Sequence, residues 1–323
     1  MKKNLALVTG GFTAEKIISL QSARTIFQAI DPALCQAFLV VITSKDWFVQ
    51  LEDQTFPVDK NDFSFVLRGE KISFHAAYIM GHGVPLEDGS IQGYFNLLGV
   101  PFVGPSLLNC AVTMNKFFTS SLLRGMGFKV AECVFLPSKN YDFSSIQAKI
   151  QYPCIVKPND GGSSFGVSKV DAEEDLHAAI EEAFRHSSAV LVEEFIKGKE
   201  YSAGVTDFDG SARALAITGI EYEGAFFDFA AKYEGASREI TPADLPIEQQ
   251  QKIQSMLVAV YQALGLTATV RIDFMIRERD QCVFIIEINA IPGMSPASIV
   301  PVELEKSGID LRTFVNKQIK RVL

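Results

Sequence analysis

The chain has 323 residues, more than one ordinary globular domain holds and enough for two or three packed together. Hydrophobic residues make up 48% and charged residues 21%, the balance of a protein that buries a real core. Lys+Arg number 30 against 38 Asp+Glu, a net charge of -8, which argues against nucleic acid or an anionic membrane as the main partner, since both select for a basic face.

The five cysteines (Cys35, Cys110, Cys133, Cys154, Cys282) sit among apolar neighbours with no CxxC and no metal-type spacing. They read as buried reduced thiols, and hence a reducing compartment. The apolar stretch at 5–8 stops at two glycines, too short for the core of a signal peptide. No apolar run reaches membrane-spanning length. A cytoplasmic protein is expected.

In chain order, 4–9 reads as a buried strand broken by Gly10-Gly11. A helix follows from about Glu15, with Leu20, Ala23, Phe27 and Ile30 at helical spacing and Asp31-Pro32 ending it. Strands at 37–42 and 75–80 then suggest an α/β layer with a mostly parallel sheet. After Pro105, the stripe Leu107, Ala111, Met114, Phe118 and Leu122 predicts one long helix stopping near Gly125. Strands at 130–136 and 153–157 flank a helix, and Leu176, Ile180 and Phe184 mark another. Strands at 190–194, 201–207, 212–221, 267–276 and 283–289 dominate the rest. A helix interrupts them, with Ile253, Leu257, Val260 and Leu264 in register and Gly265 as its stop. The polar, glycine-bearing stretch 223–244 is the expected lid.

Three segments carry chemistry. In Lys157-Pro158-Asn159-Asp160-Gly161-Gly162-Ser163-Ser164-Phe165-Gly166 a strand delivers a lysine, and glycines that let backbone N–H groups approach phosphate oxygens follow. The lysine precedes the glycines, so this is not a Walker A loop; a hairpin turn with a surface lysine would look similar. In Val270-Arg271-Ile272-Asp273-Phe274-Met275-Ile276 and Phe284-Ile285-Ile286-Glu287-Ile288-Asn289, strand alternation puts Arg271 with Asp273, and Glu287 with Asn289, on one face. A hairpin near Arg279-Asp280 would join these two faces. Oxygen ligands of this kind suit magnesium carrying nucleotide phosphates. A solvated salt-bridge face is a weak alternative inside such apolar strands. Glu193-Glu194-Phe195-Ile196, with Glu200 beyond, could hold an adenine amino group and ribose hydroxyls, although a charged edge strand reads alike. Glu15 follows Gly10-Gly11 without any GxGxxG, and His82 alone reads more readily as structural than as catalytic.

Taken in order, GGFTAEKIISLQSA, HGVPLEDGSIQG, MNK, VKPNDGGSSFGVSKV, LVEEFIKGKEYS, FFDFAAKY, RIDFM and EINAIPGMSPASIVP resemble the D-alanine–D-alanine ligases of the ATP-grasp superfamily essentially end to end. The resemblance implies a three-domain α/β architecture. A Rossmann-like N-terminal domain (1–104) would hold the first D-alanine subsite, and ATP would be clamped between a central domain (105–189) and a C-terminal one (190–323).

It further implies that Lys116 and Lys157 bind phosphate and that Lys232 of the lid reaches the γ-phosphate. Glu193, Phe195, Ile196 and Glu200 would contact adenine and ribose. Asp273, Glu287 and Asn289 would hold two magnesium ions, with manganese as a substitute. Glu15 would receive the amino group of the first D-alanine beside His82, and Ser163 and Tyr233 would complete a hydrogen-bonded set with Glu15. Arg271 and the Gly293 backbone would stabilise the oxyanion, and Ser298 would take the second D-alanine carboxylate. ATP and D-alanine are the implied small-molecule partners, and a homodimer the implied assembly.

Three positions depart from the family pattern: Leu86 stands where glycine is usual, Gly81 where a larger apolar residue is, and Ala230 where glutamate is common. A rival reading is an ATP-binding regulator that has lost the chemistry. Such a module would have no use for Arg271, Ser163 and Tyr233 beside the metal ligands.

Overall fold

The structure, a computed structural model, describes residues 2–162, 165–222 and 237–323, which build three sheets. The first comprises β1 (Asn4–Gly10), β2 (Gln36–Ile42), β3 (Trp47–Leu51), β4 (Gln54–Asp59), β5 (Ser64–Leu67), β6 (Glu70–Ser73), β7 (Ala76–Ile79) and β8 (Phe102–Val103). Their order is β6-β5-β4-β3-β2-β1-β7-β8. β2, β1, β7 and β8 run parallel, with α1 (Lys16–Ala29) and α2 (Ser90–Leu98) as crossovers. This half is the parallel layer that the sequence predicts. The other half is not, because β3 to β6 add on antiparallel. These strands lie at a sheet margin, where exposed residues fill most positions of β4 and β6, so they carry no continuous apolar run to betray them.

The helix expected over 107–125 is two helices, α3 (Leu107–Met114) and α4 (Lys116–Gly125). Asn115 breaks it in extended backbone at φ -94°, ψ 104°, and its side chain caps α4 by accepting from the Phe118 N–H. The apolar stripe runs on across the break, which is why periodicity alone joins them. The break hands the start of α4 to the glycine-serine loop: the Lys116 and Phe117 N–H groups donate to the Asn159 carbonyl (2.9 Å) and Oδ1 (3.0 Å).

The second sheet is antiparallel, ordered β11-β10-β12-β9, from β9 (Cys133–Leu136), β10 (Cys154–Pro158), β11 (Ser168–Val170) and β12 (Val190–Glu194). α5 (Phe143–Gln147) and α6 (Glu173–Ala183) cover it, burying Ile146, Leu176 and Ile180 against Val134, Val156 and Val192. By hydrogen bonding β12 therefore belongs here, although the division expected at 189/190 assigns it to the following unit.

The third sheet, also antiparallel, runs β16-β15-β13-β17-β18, with β14 paired to β13. Its members are β13 (Gly198–Thr206), β14 (Arg213–Ala214), β15 (Thr218–Tyr222), β16 (Ser237–Ile240), β17 (Thr269–Arg277) and β18 (Val283–Asn289). The single strand expected over 212–221 is thus two, separated by a gap. α7 (Ile247–Ala263) packs Ile253, Leu257 and Val260 on this sheet against Ala203, Ile272 and Phe274. The last helices, α8 (Ile299–Lys306) and α9 (Leu311–Lys320), return to the first sheet: Val300, Leu304, Phe314 and Ile319 share one core with Leu5, Leu7 and Ile79. Each such side chain contributes about 1.5–3 kcal/mol on burial, so the two ends of the chain are firmly joined.

Candidate active site

A cleft opens between the second and third sheets. It is lined by eight of the expected residues, Lys116, Lys157, Glu193, Phe195, Ile196, Glu200, Asp273 and Glu287, and not by Asn289. Apolar Ala131, Ile155, Val167, Met275 and Ile286 add surface suited to a planar ring.

Strand alternation explains the cationic wall. On β10, Lys157 points to the same side as Ile155, whose cross-strand partner is Glu193. The diagonal pair meets with Lys157 Nζ 2.7 Å from Glu193 Oε2, both side chains about nine-tenths buried. Lys116, first residue of α4, donates from Nζ to the Gly161 carbonyl at 2.7 Å and lies 3.7 Å from Glu287 Oε2. It thereby spans from the glycine-serine loop to the third sheet. Gly161 adopts φ +92°, a left-handed conformation that favours glycine. Ser163, Lys232, Tyr233 and Ala230, with most of the expected lid, lie outside the described residues.

The acidic wall is the β17–β18 pair, in which Asp273 faces Glu287 and Arg271 faces Asn289. Asp273 is buried and fully engaged. Arg271 grips it bidentately (2.9 and 2.8 Å), Ser202 Oγ donates at 2.6 Å and Asn289 Nδ2 at 3.0 Å. Burial works against the Arg271 charge, but the carboxylates of Asp273, Glu287 and Glu303 outweigh it and hold the guanidinium above its ordinary pKa. A planar, permanently charged group fixed in this way is suited to stabilising an anion.

The second group of expected residues lies towards the first sheet. Glu15 is the N-cap of α1 but makes no capping bond. Its carboxylate is wedged between two loops: a Cβ added at Gly83 would lie 3.0 Å from Oε2, and one at Gly162 would lie 2.8 Å from Oε1. Glu15 thus touches the glycine-serine loop at Gly162. The His82 N–H donates to Ser19 Oγ. Burial, then the charge of Arg271, push its imidazole down to about 4, so it is neutral near pH 7. Gly293 allows a close approach: a Cβ there would meet Ser298 Oγ at 2.7 Å. Ser298 Oγ itself accepts from the Ser295 N–H at 3.1 Å.

Three further residues tie these parts together. Glu87, pushed up to about 7 by burial, accepts from the Gly83 N–H (3.1 Å) and the Ile291 N–H (3.2 Å), linking the first-subsite loop to the segment after β18. Ser202 and Glu303 are the others. In the sequence each looks like an ordinary polar residue, and only knowing what lies opposite marks it out.

Two walls of opposite charge on separate sheets, closing over an apolar slot, define an ATP-grasp fold. The chain matches family models described as "D-ala D-ala ligase N-terminus" over residues 4–105 and "D-ala D-ala ligase C-terminus" over residues 122–320. It is 40% identical over 323 residues to the D-alanine–D-alanine ligase of Phocaeicola vulgatus, covering 99% of each chain. It is 38% identical to that of Azobacteroides pseudotrichonymphae, covering 99% of this chain and 100% of the relative. Among solved structures it resembles the VanG D-Ala:D-Ser ligase of Enterococcus faecalis, with TM-score 0.90, 29% identity and all of both chains covered. The D-alanyl-alanine synthetase A of Vibrio cholerae gives TM-score 0.87 at 26% identity, covering 99% of this chain and 98% of that one. The protein belongs to the D-alanine–D-alanine ligase family.

Proposed function

We propose that the protein joins two D-alanine molecules at the expense of ATP, through an acyl phosphate, to make a precursor of peptidoglycan. The observation that carries this reading is the cleft itself, which sets Lys116 and Lys157 against Asp273 and Glu287, with Glu15 at the start of α1 reaching its glycine-serine loop. Lys116, Lys157 and Lys232 neutralise the triphosphate. Glu193, Phe195, Ile196 and Glu200 take the adenosine.

Glu287 and Asn289 offer hard oxygen ligands, Asn289 directing its Nδ2 to Asp273 and turning its carbonyl oxygen the other way; Asp273, whose two oxygens already accept four hydrogen bonds, would join them by giving one up. This set fits magnesium, for which manganese can substitute; two such ions would screen the phosphate charge.

Glu15 holds the ammonium of the first D-alanine beside neutral His82, orienting its carboxylate to attack the γ-phosphorus while ADP leaves. Ser163 and Tyr233 complete the hydrogen-bonded set around Glu15. Ser298 receives the carboxylate of the second D-alanine. Its amine, having lost a proton, attacks the acyl carbon, and phosphate departs as the amide forms. Arg271 and the Gly293 N–H stabilise the oxyanion on the way. The lid, including Lys232 and Tyr233, keeps water from the acyl phosphate.

The division into units at 1–104, 105–189 and 190–323, with β12 beyond the last boundary but hydrogen-bonded into the sheet before it, is part of this reading, as are a homodimer and a cytoplasmic location. No helix among the described residues is long and apolar enough to cross a membrane.

The test supplies ATP, magnesium and D-alanine with excess D-serine or D-lactate, and weighs the products by mass. D-alanyl-D-alanine with stoichiometric ADP is expected. A dominant D-alanyl-D-serine would reassign the second subsite to the chemistry named for the Enterococcus faecalis relative, and absence of ADP would sink the ligase reading.

A further inference from the structure

Glu303 is fully buried, faces no ligand in the reading above and is nonetheless completely bonded. It projects from α8, five residues after Ser298, into the gap that separates β14 from β15. There Oε2 accepts from the Gly204 N–H at 2.7 Å and Oε1 from Thr218 Oγ1 at 2.9 Å, and Thr218 Oγ1 in turn meets Thr241 Oγ1 at 2.8 Å. Gly204 is the cross-strand partner of Arg271. Partners of that kind present their side chains to one face, about 5 Å apart. A Cβ on Gly204 would lie 2.8 Å from Leu215 Cδ1 and 3.1 Å from Glu303 Oε2, so the missing side chain makes room for both Leu215 and the carboxylate. Ser202 and Thr218, also a cross-strand pair, share this face, and Ser202 donates to Asp273. The same helix is stitched to the gap a second time, where the Ala216 N–H donates to Ser307 Oγ at 2.8 Å.

We propose that Glu303 is a positioning residue for the ligation step, fixing the helix capped by Ser298 to β13, the strand paired with the one that carries Arg271. The two groups assigned to the second amino acid and its oxyanion stand on different elements, and among the described residues no hydrogen bond joins them directly. Glu303 is the bonded link through which their separation is set. This inference rests on the ligase reading and on the roles given to Arg271 and Ser298. It does not depend on the protonation state of the carboxylate: deprotonated it accepts both bonds, and protonated it donates to Thr218, whose hydroxyl turns to Thr241. A glutamine can do the same, its oxygen accepting from Gly204 and its amide donating to Thr218. A methionine fills similar space and makes neither bond.

The experiment compares Glu303→Gln and Glu303→Met with the parent enzyme in steady-state dipeptide synthesis. Glu303→Gln should retain parent kinetics. Glu303→Met should lose between about tenfold and a hundredfold in kcat/KM for D-alanine, the scale of a misplacement near 1 Å, while KM for ATP moves less than about twofold. A residue that only stabilises the fold would lower the active fraction and the melting temperature and leave both KM values alone; that result overturns the proposal. Should Glu303→Met not fold, Thr218→Val removes one bond and keeps the carboxylate, and it should show the same split in smaller measure; parent KM values there would equally overturn it. A parent enzyme that made no dipeptide would instead refute the ligase reading.

Discussion

Adding one carbon at Gly81 tests whether the two family departures in the first-subsite loop are one compensated change. An ideal Cβ on Gly81 would lie 2.1 Å from Leu86 Cδ1 and 3.4 Å from its Cγ, so the Leu86 side chain fills the space that a larger residue at 81 would need. Leu86 has no exposed surface and cannot swing aside into solvent. Gly81→Ala should therefore overpack the core at a cost of about 1–3 kcal/mol. Leu86→Ala should cost about 2–5 kcal/mol, as deletions that leave a cavity do. In the double variant the new Cβ enters the space that Cδ1 vacates. Its stability should match or exceed that of Leu86→Ala alone, a coupling within the 0.5–3 kcal/mol seen for residues in contact, taken here at about its upper half. The single tryptophan, Trp47, lies in this sheet against Tyr94, so its fluorescence during urea unfolding reports on the right core. Because the His82 N–H is anchored to Ser19 Oγ, only 3.5 Å from the same Cβ position, KM for D-alanine should rise in Gly81→Ala and recover in the double variant. Additive costs, with the double variant less stable than either single one, would refute the compensation.

Glu287→Gln should abolish turnover with Trp47 fluorescence unchanged, since an amide is a far poorer magnesium ligand; near-normal rates at saturating magnesium would remove Glu287 from the metal site. Lys157→Ala should raise KM for ATP by about tenfold to a hundredfold, for a lost charge-assisted bond of about 1.5–3 kcal/mol, and leave that for D-alanine in place. It should also lower the urea midpoint, because Glu193 keeps its burial and loses its cation; adding Glu193→Gln should recover the midpoint and not the ATP affinity. His82, at about 4 in the fold against 6.5 when unfolded, contributes stability that is complete above pH 6.5 and is lost as pH falls towards 4. Urea midpoints between pH 7.5 and 5 should therefore fall less steeply for His82→Asn than for the parent chain; an unchanged slope would show that the imidazole is not held neutral.

The parts of the fold that the sequence discloses are those where one face is buried. Asn4–Gly10, Val190–Glu194 and Val283–Asn289 carry apolar runs or clean alternation and lie where periodicity puts them. The register of the last hairpin follows from its residues only in part. Arg277 clamps Asp280 through two bonds and Gln281 turns at φ +57°, which sets Phe274 opposite Ile285; a bulge between Asp273 and Phe274, which no local residue announces, then shifts the register by one and brings Asp273 opposite Glu287. β3 to β6 escape such reading because both their faces are half wet. The break at Asn115 escapes because an apolar stripe does not record whether its backbone is continuous; the capping preference of asparagine was the one local clue.

The cleft residues were legible for a similar reason. Charged groups inside apolar strands must find partners, and Lys157, Glu193, Asp273 and Arg271 find one another. What no strand-by-strand reading can supply is the identity of a partner that comes from a distant element. Glu303 looks like an ordinary polar residue of an amphipathic helix until Gly204 and Thr218 are seen across from it, 99 and 85 residues away. Glu87 likewise meets Ile291 only because α8 and α9 fold back onto the first sheet. The chemistry of this site is therefore written locally, in short motifs that a strand or a loop can carry. Its alignment is set by the long-range bonds among α8, β13 and the 82–89 loop, and it is these bonds that substitutions away from the reacting groups should disturb.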